Sequence, residues 1–243
     1  MITTTYTGLI NQDDREIIIR PKYPPAIPKY GIMYTHGAGG TADALIEYAK
    51  ATHRTRMAAD EGFLAISADW GGPQTWGNQG AMNALTKGFN YLQNESIVKP
   101  GKVIIAGGSM GGLNALNWAA RNPTKIACLS IYIPVVDMAG IHDNNLSNYA
   151  SFIRNAHGGW NTATMADTWS PLHQARLGKF ANMPIRLHYG TTDPLCLPEK
   201  AIEFAETVGD NVQLRPLIGG HNESGEIQVD RVSEVEFFME HGY

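Results

Sequence analysis

Short apolar segments alternate with longer amphipathic segments along most of the chain. Runs such as GIMYTH, KVIIAGG and KIACLSIYIP are short, rich in β-branched residues and bounded by turn residues, which predicts buried strands. Strands are predicted at 31–36, 63–69, 102–108, 125–134, 183–190 and 212–220, and helices at 41–62, 81–94, 111–123, 199–209 and 227–242. Apolar strands that alternate with helices are typical of a mostly parallel sheet with helices on both faces.

Two regions depart from this alternation. TTTYTGLI (residues 3–10) and REIIIRPK (15–22) flank the polar segment NQDD, which predicts an antiparallel hairpin at the start of the sheet. Residues 137–180 are polar and rich in Asn, Gly and Trp, and they carry short helical segments at most. We therefore expect a single domain over residues 1–243, in which residues 137–180 form a cap-like insertion over the carboxyl edge of the sheet.

The composition excludes several classes of protein. With 17% charged residues and a formal net charge of −4, the chain offers no basic stripe for nucleic acid or for an anionic membrane surface. The start of the chain lacks the pattern of a signal peptide and no run is apolar enough to span a membrane, so a cytoplasmic protein is expected. The two cysteines, Cys128 and Cys196, form no CxxC pair, and there is no HExxH pattern. No metal and no cofactor are expected.

The segment Gly107-Gly108-Ser109-Met110-Gly111 lies between a predicted strand and a predicted helix. Its G-x-S-x-G spacing is typical of a sharp turn that projects a serine Oγ above the sheet, because side chains two residues to either side would clash. The N-terminus of the following helix can stabilise a negative charge beside this hydroxyl. The alternative is a glycine-rich turn that only allows close packing of helix on strand. The flanking strand and helix favour the interpretation of Ser109 as a nucleophile.

A second glycine-rich segment, THGAGG, follows the strand predicted at 31–36. A serine that attacks a carbonyl group needs two N–H donors for the developing oxyanion. One is expected from Met110 and the other from Gly37 or Ala38. His36 and Gly39 are expected to line the bound substrate. The alternative is a tight strand-to-helix turn with a structural His36.

Two further loops supply a candidate acid and a candidate base. Asp193 follows the strand predicted at 183–190, and His221 lies just after the last predicted strand, preceded by two glycines. A buried carboxylate next to a histidine fixes the tautomer of the imidazole, which can then accept the proton of the serine. Asp137, which follows the preceding strand, is the alternative acid, and its simpler interpretation is a capping or turn residue. The chain order Ser109, Asp193, His221 favours Asp193.

These motifs, GGSMGG, THGAGG, LHYGTTD and LIGGHNESG, resemble those of α/β-hydrolases over nearly the whole chain. The resemblance implies an eight-stranded, mostly parallel sheet, with Ser109 as nucleophile, His221 as base and Asp193 as acid, and no cofactor. YTHGAGG, DWGG…TWGN and GGSMGGLNALN are also similar to small esterase-like hydrolases encoded by bacteriophages. That similarity implies a location in the virion as the alternative to the cytoplasm.

The segment ADWGGPQTWGN follows the strand predicted at 63–69 and places Trp70 and Trp76 at the same edge of the sheet. They are interpreted either as an aromatic wall for the substrate or as packing residues that anchor the loop. The insertion contains few consecutive apolar residues, so a long acyl chain would find no apolar trench in which to gain burial energy. We expect a short-acyl ester, either a small molecule or one carried on a polymer.

Two alternatives from other classes of function remain. A serine peptidase would use the same three residues. A structural or receptor-binding part of a larger assembly, such as a phage tail, would need none of them, and the intact set of motifs argues against it.

Overall fold

A computed structural model describes residues 2–5, 15–21, 23–44, 54–222 and 228–243. The strands are β1 (Ile2–Thr5), β2 (Glu16–Ile19), β3 (Lys29–Thr35), β4 (Ala65–Ala68), β5 (Val98–Gly108), β6 (Ile126–Tyr132), β7 (Ile185–Gly190) and β8 (Val212–Leu217). The helices are α1 (Arg54–Asp60), α2 (Gln79–Gln93), α3 (Met110–Arg121), α4 (Met138–Asp143), α5 (Ala150–His157), α6 (Thr162–Trp169), α7 (Pro171–Arg176), α8 (Pro198–Val208) and α9 (Arg231–His241).

All eight strands join one sheet in the order β1-β2-β4-β3-β5-β6-β7-β8. The pairs β1–β2 and β2–β4 are antiparallel, and every other pair is parallel. The mostly parallel sheet and the initial hairpin are therefore confirmed, while the predicted turn at 11–14 lies outside the described residues. Because the parallel strands share one direction, the residues after β3, β5, β6, β7 and β8 meet at a single edge.

The sheet is covered on both faces, as its continuously apolar strands predict. Neighbouring residues of β5 show the alternation: Ile105 packs with Phe89 on α2 and Trp118 on α3, whereas Ile104 packs with Phe237 on α9. All five side chains are buried. Successive side chains of a strand point to opposite faces, so a fully buried strand needs apolar residues at every position.

The helix predicted at 41–62 is described at its end, from Arg54 to Asp60, and its middle, 45–53, lies outside the described residues. It stops at Gly62, which has a φ of 95°, a conformation that glycine adopts without strain. The last helix begins at Arg231, later than predicted, because the side chain of Asp230 accepts hydrogen bonds from the N–H groups of Val232 and Ser233.

Residues 137–180, for which the sequence predicts an insertion, lie between β6 and β7 and contain α4 to α7. The insertion packs on the carboxyl edge of the sheet through an apolar cluster that joins Met138, Ile141 and Ile153 to Trp76 and Met110. None of the helices in the described residues is long and apolar enough to cross a membrane.

A buried charged network holds α9 against the sheet. The carboxylate of Glu234 accepts hydrogen bonds from Ser130 on β6 and from Arg186 on β7, the latter at 3.2 Å. His188 Nε2 lies 3.6 Å from the same carboxylate. The guanidinium of Arg186 lies over the ring of Phe237, 4.4 Å from its centroid. Removing one charge from such a network leaves the other charge buried without compensation.

We predict that Glu234→Ala lowers the free energy of unfolding by about 3 kcal/mol or more, because Arg186 loses its buried counter-charge. Glu236→Ala is the matched control, since Glu236 lies two positions further along the same helix and is exposed. It should cost less than about 0.5 kcal/mol. Urea denaturation of the three proteins measures the difference, and equal losses in both variants would contradict the role of the network.

Candidate active site

Ser109 occupies the turn between β5 and α3 in a strained backbone conformation. Its φ is 52° and its ψ is −123°, a combination that non-glycine residues rarely adopt and that costs on the order of 1–3 kcal/mol. The turn is held by Ser109 N–H, which donates to Tyr132 O at 3.1 Å, and by Ser109 O, which accepts from Val135 N at 3.2 Å. These two bonds anchor the turn to β6 and to the loop that follows it.

The glycines around Ser109 are required by the close approach of β3. A Cβ atom on Gly107 would overlap with Thr35 Oγ1, and one on Gly111 would overlap with Thr35 O. The hydroxyl of Thr35 donates to Gly111 O at 2.9 Å, which ties the first turn of α3 to the end of β3. The structure confirms the predicted strand, sharp turn and helix, together with the steric reason for the two glycines.

Ser109, His221 and Asp193 form one chain of hydrogen bonds. His221 Nε2 lies 3.0 Å from Ser109 Oγ, and His221 Nδ1 lies 2.7 Å from Asp193 Oδ2. The Asp193 side chain is fully buried, whereas 21% of the His221 side chain is exposed. The arrangement therefore runs from a buried carboxylate through an imidazole to a hydroxyl at the carboxyl edge of the sheet.

The carboxylate of Asp193 is held in a single orientation by its own loop. Its Oδ1 atom accepts from the N–H groups of Leu195 and Cys196, both at 2.9 Å, which leaves Oδ2 for His221. The alternative acid, Asp137, instead caps α4, because its Oδ1 accepts from Gly140 N at 2.9 Å. Asp137 thus has the capping role that the sequence offers as its simpler interpretation.

The candidate oxyanion donors lie beside Ser109. A Cβ atom built on Gly37 would be 3.6 Å from Ser109 Cβ, so the THGAGG loop contacts the turn directly. Met110 is the first residue of α3, and helical N–H groups at this position have no partner within the helix. In the described part of the chain, the N–H groups of Met110, Ala38 and Gly37 donate to no backbone carbonyl outside the helices and strands. Gly37 and Ala38 therefore both remain candidates for the second donor.

His36 does not face a substrate, which corrects the expectation from sequence. The residue is 2% exposed, its Nδ1 lies 2.9 Å from Gly37 O, and its Nε2 lies 3.0 Å from Asp69 O. Both ring nitrogens are thus occupied by backbone carbonyls, and His36 fixes the loop to the end of β4. Gly39 is exposed, and its N–H donates to Pro73 O at 2.8 Å.

Trp70 and Trp76 are packing residues, so the aromatic wall is also corrected. Trp70 is 0% exposed, lies against Gly88 and donates from Nε1 to Tyr34 O at 2.7 Å. Trp76 is 1% exposed, and its ring lies 4.8 Å from that of Tyr149 in the insertion. Their loop turns both side chains inward, and each residue itself has a positive φ.

A small cavity of about 50 Å³ lies between the loops that follow β6 and β7 and the insertion, and sequence reasoning did not foresee it. Its walls include Val135, which bonds to Ser109 O, and Leu195 and Cys196, which bond to Asp193 Oδ1. Ile141 and Leu146 close it from the insertion. The sequence indicates this cavity only through the position of Leu195 and Cys196, which lie two and three residues after the predicted acid. The residues of the insertion carry no pattern that assigns them to a pocket.

Cys196 lies beside the candidate acid, a position that its sequence pattern did not predict. It is a free, buried thiol, and burial, together with the nearby charge of Asp193, raises its pKa well above the usual value. Its sulfur, a carboxylate oxygen of Asp193 and a ring nitrogen of His221 lie within 4.8 Å of one another. Thiol, imidazole and carboxylate are side-chain types that bind metal ions.

The sheet, its helices and the serine on the strand-to-helix turn define the protein as an α/β-hydrolase. Residues 50–215 match the model of the prolyl oligopeptidase family, Peptidase_S9, and the chain belongs to that family. The matched region contains Ser109 and Asp193 and ends before His221. No curated protein sequence matches the chain.

Solved structures with the same fold cover nearly all of the chain. S-formylglutathione hydrolase from Agrobacterium tumefaciens has a TM-score of 0.75 and 14% identity, over 99% of this chain and 94% of that chain. Fluorophosphonate-binding serine hydrolase F from Staphylococcus aureus has a TM-score of 0.75 and 15% identity, over 98% and 97%.

A puromycin-hydrolyzing peptidase from Mycobacterium tuberculosis has a TM-score of 0.74 and 17% identity, over 94% of this chain. The chain spans 37% of the length of that peptidase. At these identities the similarity shows the shared fold alone. None of the three structures is described as phage-encoded, so the similarity to phage hydrolases gains no support from them.

Proposed function

We propose that the protein hydrolyses carboxylic esters with short acyl groups through an acyl-enzyme on Ser109. The observation that carries the proposal is the hydrogen-bonded chain from Asp193 through His221 to Ser109, which ends on a hydroxyl held in a strained, partly exposed turn. The same geometry would serve any acyl transfer to water. The ester class and the acyl length therefore need their own arguments.

In the proposed mechanism, His221 Nε2 accepts the Ser109 proton while Oγ attacks the acyl carbonyl carbon. Asp193 stabilises the resulting imidazolium and keeps its Nδ1–H directed at Oδ2. The N–H groups of Met110 and of either Gly37 or Ala38 donate to the oxyanion. The C–O bond then breaks, and the alcohol leaves with the proton from His221. Water, deprotonated by His221, attacks the acyl carbon and releases the carboxylic acid and Ser109.

A peptidase is the second candidate, because the family match and the puromycin-hydrolyzing structure favour it. The structural similarity to S-formylglutathione hydrolase and to the Staphylococcus aureus serine hydrolase supports the ester. Parallel assays with p-nitrophenyl esters and aminoacyl p-nitroanilides decide between the two: faster anilide cleavage, compared by kcat/KM, contradicts the ester proposal.

We predict that a fluorophosphonate probe labels the wild-type protein and does not label Ser109→Ala. Loss of Oγ should lower kcat for a p-nitrophenyl ester by about 10⁴-fold or more, because the covalent step is removed. Circular dichroism should show an unchanged fold, since alanine lacks only the hydroxyl. Labelling that survives the substitution would falsify the assignment of Ser109.

For the acid, we predict that Asp193→Asn lowers kcat by on the order of 10⁴-fold. The amide oxygen can still accept from Leu195 and Cys196 N–H, so the amide NH₂ faces His221 Nδ1 and forces the ring proton onto Nε2. Asp137→Asn is the matched control. Its amide oxygen preserves the cap on Gly140, so kcat should fall much less than in Asp193→Asn, and any remaining change reflects the place of Asp137 in the cavity wall. The reverse order of effects would place the acid on the loop after β6.

The small cavity is proposed as the acyl pocket. Val135 in its wall donates to Ser109 O, and Leu195 in its wall donates to Asp193 Oδ1. Ile141 and Leu146 of the insertion form the rest of the wall. A volume of about 50 Å³ suits an acetyl or propionyl group better than a long chain. This pocket replaces Trp70 and Trp76 as the proposed limit on acyl length.

We predict that Ile141→Ala shifts the preference toward longer acyl groups. Each additional methylene that the enlarged pocket buries should raise kcat/KM by about fourfold, since it contributes about 0.8 kcal/mol. Ile153→Ala is the matched control: Ile153 lies in the same apolar cluster but does not line the cavity. The ratio of kcat/KM for butyryl and acetyl p-nitrophenyl esters measures the shift. An equal shift in both variants, or none in either, contradicts the assignment of this pocket.

A further inference from the structure

Cys196 is brought to the candidate active site by the loop that holds the acid. Its N–H donates to Asp193 Oδ1 at 2.9 Å, so the turn that fixes the carboxylate also fixes the position of the thiol. The Cys196 sulfur, a carboxylate oxygen of Asp193 and a ring nitrogen of His221 all lie within 4.8 Å of one another. Among the residues that the structure describes, no other group of three such side chains brings its ligand atoms this close.

We propose that Asp193, Cys196 and His221 form a binding site for a thiophilic divalent cation of the Zn²⁺ type, and that occupancy of the site inhibits the enzyme. Sulfur, imidazole nitrogen and carboxylate oxygen are the donors that Zn²⁺ prefers. Ligand atoms about 2.0–2.3 Å from a tetrahedral ion lie roughly 3.5 Å apart. His221 Nδ1 and Asp193 Oδ2, now 2.7 Å apart, must therefore separate slightly, while the Cys196 sulfur, which lies within 4.8 Å of the other donors, must move closer. Water would take the fourth position. The inhibitory part of the inference rests on the proposed function, and the binding part does not.

The geometry specifies which nitrogen the cation would take. Nδ1 of His221 faces Asp193 at 2.7 Å, whereas Nε2 faces Ser109. A cation would therefore replace the proton between Nδ1 and Oδ2. The imidazole proton moves to Nε2, and the Cys196 thiol releases its proton to solvent as the metal–sulfur bond forms. Nε2 then carries a hydrogen and cannot accept the proton of Ser109, which predicts loss of hydrolysis without displacement of the serine.

The second free cysteine provides a matched control. Cys128 lies on β6 and is fully buried in the core between the sheet and α9. It belongs to no group of metal-binding side chains in the described ranges. Cys196→Ser and Cys128→Ser each replace sulfur with a poor zinc ligand of similar size, and Cys196→Ala provides a second substitution at the same position. All three keep the backbone N–H that donates to Asp193 or to the sheet.

The test measures zinc inhibition and cobalt spectra on chelator-treated protein. Because Cys196 lines the small cavity and its N–H holds Asp193, inhibition is measured for each protein relative to its own metal-free rate. The Zn²⁺ concentration that halves this rate should be at least about tenfold higher for Cys196→Ser than for wild type. Cys128→Ser should respond to Zn²⁺ as wild type does. Co²⁺ added to wild type or to Ser109→Ala should give a sulfur-to-cobalt charge-transfer band in the near ultraviolet, and the band should be missing from Cys196→Ser and Cys196→Ala.

Equal zinc sensitivity of wild type and Cys196→Ser overturns the proposal. A wild-type protein without a charge-transfer band also overturns it, and so does a Cys128→Ser protein that lacks the band. The cobalt band needs no turnover. If the protein fails to hydrolyse esters, the proposed function falls, and the band still decides whether the cation site exists.

Discussion

The backbone conformation of Ser109 is the constraint on which the site depends. A φ of 52° at a residue with a side chain is unfavourable, and it persists because the neighbouring strands over-determine the turn. Thr35 at the end of β3 leaves room for glycine alone at positions 107 and 111, and Tyr132 on β6 holds the Ser109 N–H. Packing on both sides offsets the cost of this backbone conformation. The conformation places Ser109 Oγ 3.0 Å from His221 Nε2.

The other parts of the site follow from the same parallel sheet. Strand ends that meet at one edge bring together residues that are far apart in the sequence: the THGAGG loop, Ser109, Asp193 and His221. The insertion then covers part of this edge and supplies Ile141 and Leu146 to the small cavity. Under the proposed function, the sheet positions the reacting groups and the insertion bounds the acyl pocket, so changes in the insertion should alter substrate preference with little effect on Ser109, His221 and Asp193.

Patterns in neighbouring residues predicted the strands, the helices and the positions of the candidate triad. They could do so because glycine spacing and the order of strands can be read from contiguous residues. They could not predict where Trp70 and Trp76 point, since that depends on Gly88, Tyr34 and Tyr149, which only the fold brings near. The role of His36 was missed for the same reason, because Asp69 O occupies its second nitrogen. Cys196 carried no signal beyond its place after Asp193. Membership in the prolyl oligopeptidase family also lay beyond the motifs, which the wider α/β-hydrolase class shares.

The central claim is that this strained serine forms the acyl-enzyme, and trapping that intermediate tests it most directly. The protein is mixed with p-nitrophenyl acetate, quenched with acid within the first turnover, digested and mapped by mass spectrometry. We expect one acetyl group per chain, on the peptide that contains Ser109, together with a burst of p-nitrophenol of matching size. An acetyl group on another residue, or turnover with no acetylated peptide at any time, would contradict it.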